Sequence, residues 1–242
     1  MRFRPTLWPT LFTVPALIIL IGLGTWQVER LHWKENLIAT REARSSAPPT
    51  ALPADDADPA SFEFNRARVV GRFMNDKEML LAARSLNGNV GFHVVAPLAE
   101  ADGHTILVDR GWIPLELKDP ISRRAGELEG ATAVEGLLRA SQKPSWLVPD
   151  NRPDEGVWFS VDVAAMAKWA GLARARPYFL EAGTAPNPGG YPIGGQSRIE
   201  LPNNHLQYAI TWYSFAVSLA VIYFLYHRRL AKEEEARKAT EA

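Results

Sequence analysis

The chain has 242 residues, 47% of them hydrophobic, which is too apolar for a disordered protein and long enough for one ordinary domain with segments to spare. Lys plus Arg and Asp plus Glu both number 27, so a formal net charge of zero supplies no field to recruit nucleic acid. Cysteine is absent, which excludes disulfides, thiolate metal sites, iron–sulfur clusters, thiol catalysis and covalent haem attachment through C-x-x-C-H.

A mean hydropathy of −0.14 resembles that of a soluble protein, but the average hides two long uncharged runs. After a short basic segment (1–6), no charge occurs between Arg4 and Glu29, and residues 7–26 are long enough to cross roughly 30 Å of hydrocarbon as a helix. Pro15 is expected to bend it. A cleaved signal peptide would end at a small-x-small site, and Gly24-Thr25-Trp26-Gln27 is a poor one, so the segment reads as an uncleaved anchor. Residues 27–44 contain good helix formers with apolar Val28, Leu31, Leu37 and Ile38, and are expected to carry the helix beyond the membrane. Residues 45–60, rich in Pro, Ala and Asp, read as an extended linker.

Seven strand-like runs follow within residues 61–200: Arg66–Met74, Lys77–Arg84, Val90–Leu98, Thr105–Ile113, Ala133–Ala140, Val157–Val163 and Tyr178–Ala182. Asn87-Gly88 is a strong hairpin signal, and Asp102-Gly103 is expected to join the third and fourth runs in the same way. One short helix, Val163–Gly171, interrupts the strands, and Pro186–Gly195 reads as a loop. An interface segment (201–207) leads to a second membrane-length run, 208–226, with aromatic residues at both ends, and then to a charged tail, 227–242. The expected architecture is a membrane protein in which two transmembrane α-helices flank a β-rich, antiparallel extracytoplasmic domain, a small barrel or a sandwich.

Orientation follows from the basic residues of the short flanks. Arg2, Arg4, Arg228, Arg229, Lys232, Arg237 and Lys238 all lie in the termini, which places both ends in the cytoplasm and the β-rich domain outside. With no Arg-rich, acid-poor targeting segment ahead of the first span, the expected location is a bacterial inner membrane, with the domain periplasmic.

No catalytic triad, metal-ligand or phosphate-loop motif is visible, so no catalytic residue is assigned. Asp109-Arg110 and Arg123-Arg124 are explained by ion pairing. Of the histidines, His32 and His227 are interfacial, and His93 and His104, on or near strands, receive no role. His205 differs, because it lies in Asn203-Asn204-His205-Leu206-Gln207-Tyr208 at the outer mouth of the second span. Helical continuation places His205, Tyr208, Ala209, Trp212 and Ala216 on one face, where the small alanines could leave room for a flat apolar ligand. A neutral imidazole there suits an axial ligand of haem iron. On residues alone, a histidine bonded to water or lipid headgroups remains the plainer explanation.

Taken together, the motifs resemble the surfeit-locus-one (Shy-one) family of cytochrome c oxidase assembly factors. The match runs through Gly24-Thr25-Trp26-Gln27 with Arg30 and Trp33-Lys34, Gly71-Arg72-Phe73, Gly91-Phe92-His93-Val94 with Pro97-Leu98, and Arg110-Gly111-Trp112-Ile113-Pro114. It closes with Asn203-Asn204-His205-Leu206-Gln207-Tyr208-Ala209 and Thr211-Trp212-Tyr213. The resemblance implies a non-enzymatic maturation factor for haem-copper oxidases that assists delivery or insertion of haem a into the large catalytic subunit. Haem a synthase and membrane lipid are further implied partners. In bacterial members the histidine of the N-N-H-L-Q-Y block is the haem ligand, which carries over to His205 as the metal-binding residue. Tyr208 and Trp212 are assigned to the same cofactor pocket by helical spacing alone. The alternatives are a scaffold for the oxidase subunit that binds no cofactor, and a membrane-tethered periplasmic enzyme.

Overall fold

The computed structural model describes residues 5–142, 146 and 148–240. They form two compact units, one made of the chain up to Thr40 and from Glu200 onward, the other of Arg41–Ile199.

The first unit is a pair of long helices. Helix α1 spans Leu7–Ser46, with Pro15 inside it, and α4, the last element of the chain, spans His205–Thr240. Each contains an 18-residue window apolar enough to cross a membrane, and only 6% and 11% of these windows are buried. A core helix of a soluble protein would hide such a surface, whereas here Leu11, Phe12, Ile18, Ile19, Phe215, Val217, Ile222 and Phe224 face outward. That exposure is stable only in an apolar solvent, so both helices are read as membrane spans.

Polar contacts tie the pair together in antiparallel register. His227 Nε2 lies 3.0 Å from Thr6 Oγ1, and the hydroxyls of Thr10 and Tyr223 are 2.6 Å apart. Nearer the other end, Thr25 Oγ1 meets the Tyr213 hydroxyl at 3.2 Å. A Cβ on Gly24 would stand 2.7 Å from the Tyr213 ring, so the glycine lets the aromatic side chain lie flat on the backbone. Small residues and side-chain hydrogen bonds are what hold helices together where lipid tails remove any hydrophobic difference.

The second unit is a barrel. A single helical turn, α2 (Pro59–Phe62), capped by the Asp58 carboxylate, precedes the strands. These are β1 (Arg66–Phe73), β2 (Met79–Leu86), β3 (Asn89–Glu100), β4 (Thr105–Pro114), β5 (Ala131–Ala140), β6 (Val157–Trp158) and β7 (Ala175–Ala182), with α3 (Val163–Trp169) between the last two. The order β1-β5-β7-β4-β3 returns to β1, because β1 also pairs with β3, which closes five strands into a ring; β2 and β6 extend it beyond β3. Of the two architectures open to the sequence, the barrel is the one adopted. Its pairings are antiparallel except β4 with β7 and β2 with β6, which are parallel.

Local chemistry explains most of these elements. In β1 alternate residues Ala67, Val69, Gly71 and Phe73 are buried, the period-two pattern of a strand with one solvated face. Asn87 and Gly88 both take positive φ, 51° and 81°, giving the two-residue turn that fits the twist of β2 and β3. The sixth expected run ends early: only Val157 and Trp158 pair, and the chain then turns into α3, whose first turn is capped by Asp162.

Strand β4 is buried on both faces. Ile106 and Val108 enter the barrel interior with Phe62, Val69, Leu98, Leu138 and Tyr178, whereas Leu107 joins Met79, Leu81, Trp158, Met166 and Phe179 in a second core beneath α3. A strand with apolar packing on both sides reads as a continuous hydrophobic run. Of the expected linker, residues 45–46 end α1 and 59–60 begin α2, and the non-helical chain between them is held to the barrel: Thr50 N–H donates to the Arg66 carbonyl, Leu52 packs on the interior cluster, and the Tyr178 hydroxyl donates to the Pro53 carbonyl at 2.7 Å.

Candidate functional site

In the helical unit, His205 is the first residue of α4 and its Nδ1 lies 2.7 Å from the Oε1 of Gln27. A carbonyl oxygen only accepts, so Nδ1 carries the proton and the lone pair of the neutral ring resides on Nε2. Among the described residues Nε2 has no hydrogen-bond partner. This is the arrangement by which an outer residue sets the tautomer of a metal-ligating histidine. Gln27 is itself buried, so its amide is a fixed acceptor rather than a mobile surface group.

Tyr208 and Trp212 follow on α4. Tyr208 is exposed, and Trp212 packs edge-on against Phe215 with ring centroids 6.3 Å apart. Ala209 and Ala216 are 2% and 6% exposed, so protein covers the two positions where their small side chains were expected to leave open space. Neither Tyr208 nor Trp212 is bonded to His205; the residue that is, Gln27, belongs to the other helix. It stands within the G-T-W-Q run, yet nothing in a linear reading connects positions 178 residues apart. Arg30 stacks on Trp33 with its guanidinium carbon 4.1 Å from the ring centroid, which anchors both side chains on the same helix.

The barrel explains the other motif blocks structurally. Gly71 is where β1 pairs with both β3 and β5, and a Cβ there would collide with Leu98 and the Ala99 backbone. Gly91 leaves room for the Trp112 indole. In β4, Arg110 is the extra residue of a bulge, since Asp109 and Gly111 pair with consecutive residues Val95 and Val94. Gly111 takes φ of 117° there, and a side chain would strike the Ile193 carbonyl.

The bulge turns Arg110 inward. It stacks on Phe73 at 4.7 Å, donates to the Gly126 carbonyl at 2.6 Å and lies 3.5 Å from Glu78, whose other oxygen is 2.7 Å from Arg123. All three side chains are at most 5% exposed. Burial holds the Arg110 pKa below its ordinary value, with Glu78 opposing that effect.

On the opposite side of the bulge, Asp109 accepts from Gly111 N–H at 3.0 Å and from His93 Nδ1 at 2.8 Å. The pair borders a cleft of about 640 Å³ lined also by Arg41, Arg84, Arg139 and Arg198. Pairing of His93 with Asp109, and the gathering of four arginines from four parts of the chain, had no signal in the sequence. Among the described residues no group of three His, Asp or Glu side chains is arranged to hold a metal ion.

Comparison with known proteins is consistent along the chain. A model described as the SURF1 family matches residues 14–217. A SURF1-like protein of Monosiga brevicollis is 40% identical over 232 residues, covering 90% of this chain and 87% of that protein. The Surfeit locus protein 1 of Homo sapiens is 37% identical over 84% of this chain and 72% of its own length, and that of Takifugu rubripes is 34% identical over 88% and 94%. With a family model matching residues 14–217 and relatives 34–40% identical over 84–90% of its length, the chain belongs to the SURF1 family.

Proposed function

We propose that this chain is an assembly factor for a haem-copper oxidase that assists delivery or insertion of haem a into the large catalytic subunit. It would act in a bacterial inner membrane, with both termini cytoplasmic, the barrel periplasmic, and haem a synthase and membrane lipid as neighbours. Family membership supports the class of activity, and the observation that carries the haem assignment is the His205–Gln27 bond. Among the described residues it leaves the second imidazole nitrogen of His205 without a hydrogen-bond partner at the start of α4, which suits a single, exchangeable axial ligand for a cargo that must be passed on. Tyr208 offers an exposed ring one turn further along, and Trp212 lies beyond it.

The test is an optical spectrum of the detergent-purified chain from cells that make haem a, wild type beside His205→Ala. A Soret band lost in the variant supports the assignment. Undiminished stoichiometric haem in His205→Ala overturns the ligand, and loss of haem with full oxidase maturation favours a scaffold that binds no cofactor in its working role. An enzyme would draw on the His93–Asp109 pair, but among the described residues no hydroxyl is hydrogen-bonded to His93 as a nucleophile.

A further inference from the structure

The barrel unit carries a polar cleft that the reading above does not use. Its volume, about 640 Å³, is within the range of small-molecule sites. Four arginines and two carboxylates line it, and each carboxylate has an ionic partner through one oxygen, while Glu181 Oε2 has no hydrogen-bond partner among the described residues. Glu181 is bonded to Arg139 at 2.7 Å, and Arg139 also reaches Glu63 at 3.3 Å. Asp109 is bonded to His93 and to the Gly111 amide. Among the described residues, three of the guanidinium groups have no ion pair with a carboxylate: Arg84 donates to the Phe159 carbonyl at 3.2 Å, Arg41 stacks on Phe64 at 4.5 Å, and Arg198 has no hydrogen bond or ion pair.

The backbone is built to place one of them. Between Leu81 and Arg84 strand β2 gains a residue on β3, and Ala83 takes φ of 55°, a conformation unfavourable to a side chain. The bulge points Arg84 to the cleft, where burial disfavours its charge, Asp109 and Glu181 attract it and Arg198 repels it. Gathering like charges against partly buried protein costs free energy unless an anion offsets it. Guanidinium groups recognise carboxylate and phosphate through paired N–H donors.

We propose that this cleft binds an oxyanion group, carboxylate or phosphate, of a small molecule, with Arg84 and Arg198 as its principal donors and Arg41 closing the rim. The proposal is independent of haem and of His205.

The experiment uses the full chain in phosphatidylcholine nanodiscs at low salt, titrated calorimetrically with inorganic phosphate and separately with citrate. Saturable binding of either, at one ligand per chain, is expected, weakened about tenfold or more by Arg84→Gln and by Arg198→Gln. Arg72→Gln, on the exposed face of β1 and outside the cleft, leaves it unchanged. Arg198 is exposed, so its variant tests the site without risk to the fold. Absence of saturable binding by both probes, or affinity unchanged in the Arg84→Gln/Arg198→Gln double variant, overturns the proposal. Repeating the titration in phosphatidylglycerol nanodiscs identifies the source: binding retained there means a soluble ligand, and binding lost there means that a lipid headgroup supplies the same chemistry.

Discussion

Gln27 and His205 stand 178 positions apart, and the hydrogen bond between them, 2.7 Å from Nδ1 to Oε1, orients a histidine on one helix from the other. Replacing Gln27 by Leu removes the acceptor and frees the ring to rotate and change tautomer. On the proposal that His205 ligates haem, retention by Gln27→Leu is expected to fall about 10- to 100-fold, the usual effect of losing an outer partner of a metal-ligating histidine. The check is the Soret absorbance per chain after purification beside wild type and His205→Ala; equal retention in Gln27→Leu would show that the bond does not prepare the ligand.

A Cβ on Gly24 would stand 2.7 Å from the Tyr213 ring, so Gly24→Leu is expected to force the helices apart. Overpacking of this kind costs about 1–3 kcal/mol. Thermal melts in detergent should show a lower midpoint for Gly24→Leu and partial recovery when Tyr213→Ala is added, because the second change removes the ring that the new side chain meets. A midpoint that the second change leaves where it was would mean that the two residues do not touch.

Glu78 stands between two buried cations, Arg110 and Arg123. Glu78→Gln keeps the shape but removes the carboxylate that both arginines share, a loss of about 3–5 kcal/mol for a buried pair broken on one side. Denaturant unfolding of the full chain, followed by tryptophan fluorescence, should report it. An unchanged midpoint would mean that the neutral acceptors, the Gly126 carbonyl and Asn187 Oδ1 for Arg110 and the Leu117 carbonyl for Arg123, are sufficient.

Tyr178 is buried in the barrel interior with its hydroxyl on the Pro53 carbonyl, and burial pushes its pKa up to about 12 from an ordinary 10.0. The folded state therefore favours the neutral phenol. Its contribution to stability is complete below pH 10 and is lost as the pH rises from there toward 12, because the unfolded chain releases the proton first. Tyr178→Phe is expected to lower stability by about 1 kcal/mol at neutral pH through the lost hydrogen bond, and to lose less than wild type between pH 10 and 12. Parallel curves for the two proteins across that range would contradict the assignment.

The elements were legible wherever a local pattern carries its own energetics. Two uncharged runs of membrane length, the Asn87-Gly88 turn, the strand-like run Arg66–Met74 and the short helix beginning at Val163 each follow from a few neighbouring side chains. The shortness of β6 was not read from the sequence, because Val157, Trp158, Phe159, Val161 and Val163 favour a strand, whereas Asp162 caps α3 and Trp158, Val161 and Val163 pack in the second core. Ring closure was likewise invisible, since it depends on β1 pairing with two strands at once, and pairing across such separations has no short-range signature.

By itself the sequence determined the two apolar helices, the β-rich character of the segment between them, the exclusion of thiol chemistry and the singling out of His205, because composition, charge and period act at short range. Tertiary structure alone decided that Gln27 holds His205, that Ala209 and Ala216 are covered, that Asp109 meets His93, and that Arg41, Arg84, Arg139 and Arg198 share one cleft. Each of these joins residues far apart along the chain, and which distant groups meet is set by packing of whole helices and strands, whose energy is spread over many contacts and belongs to no single stretch of sequence.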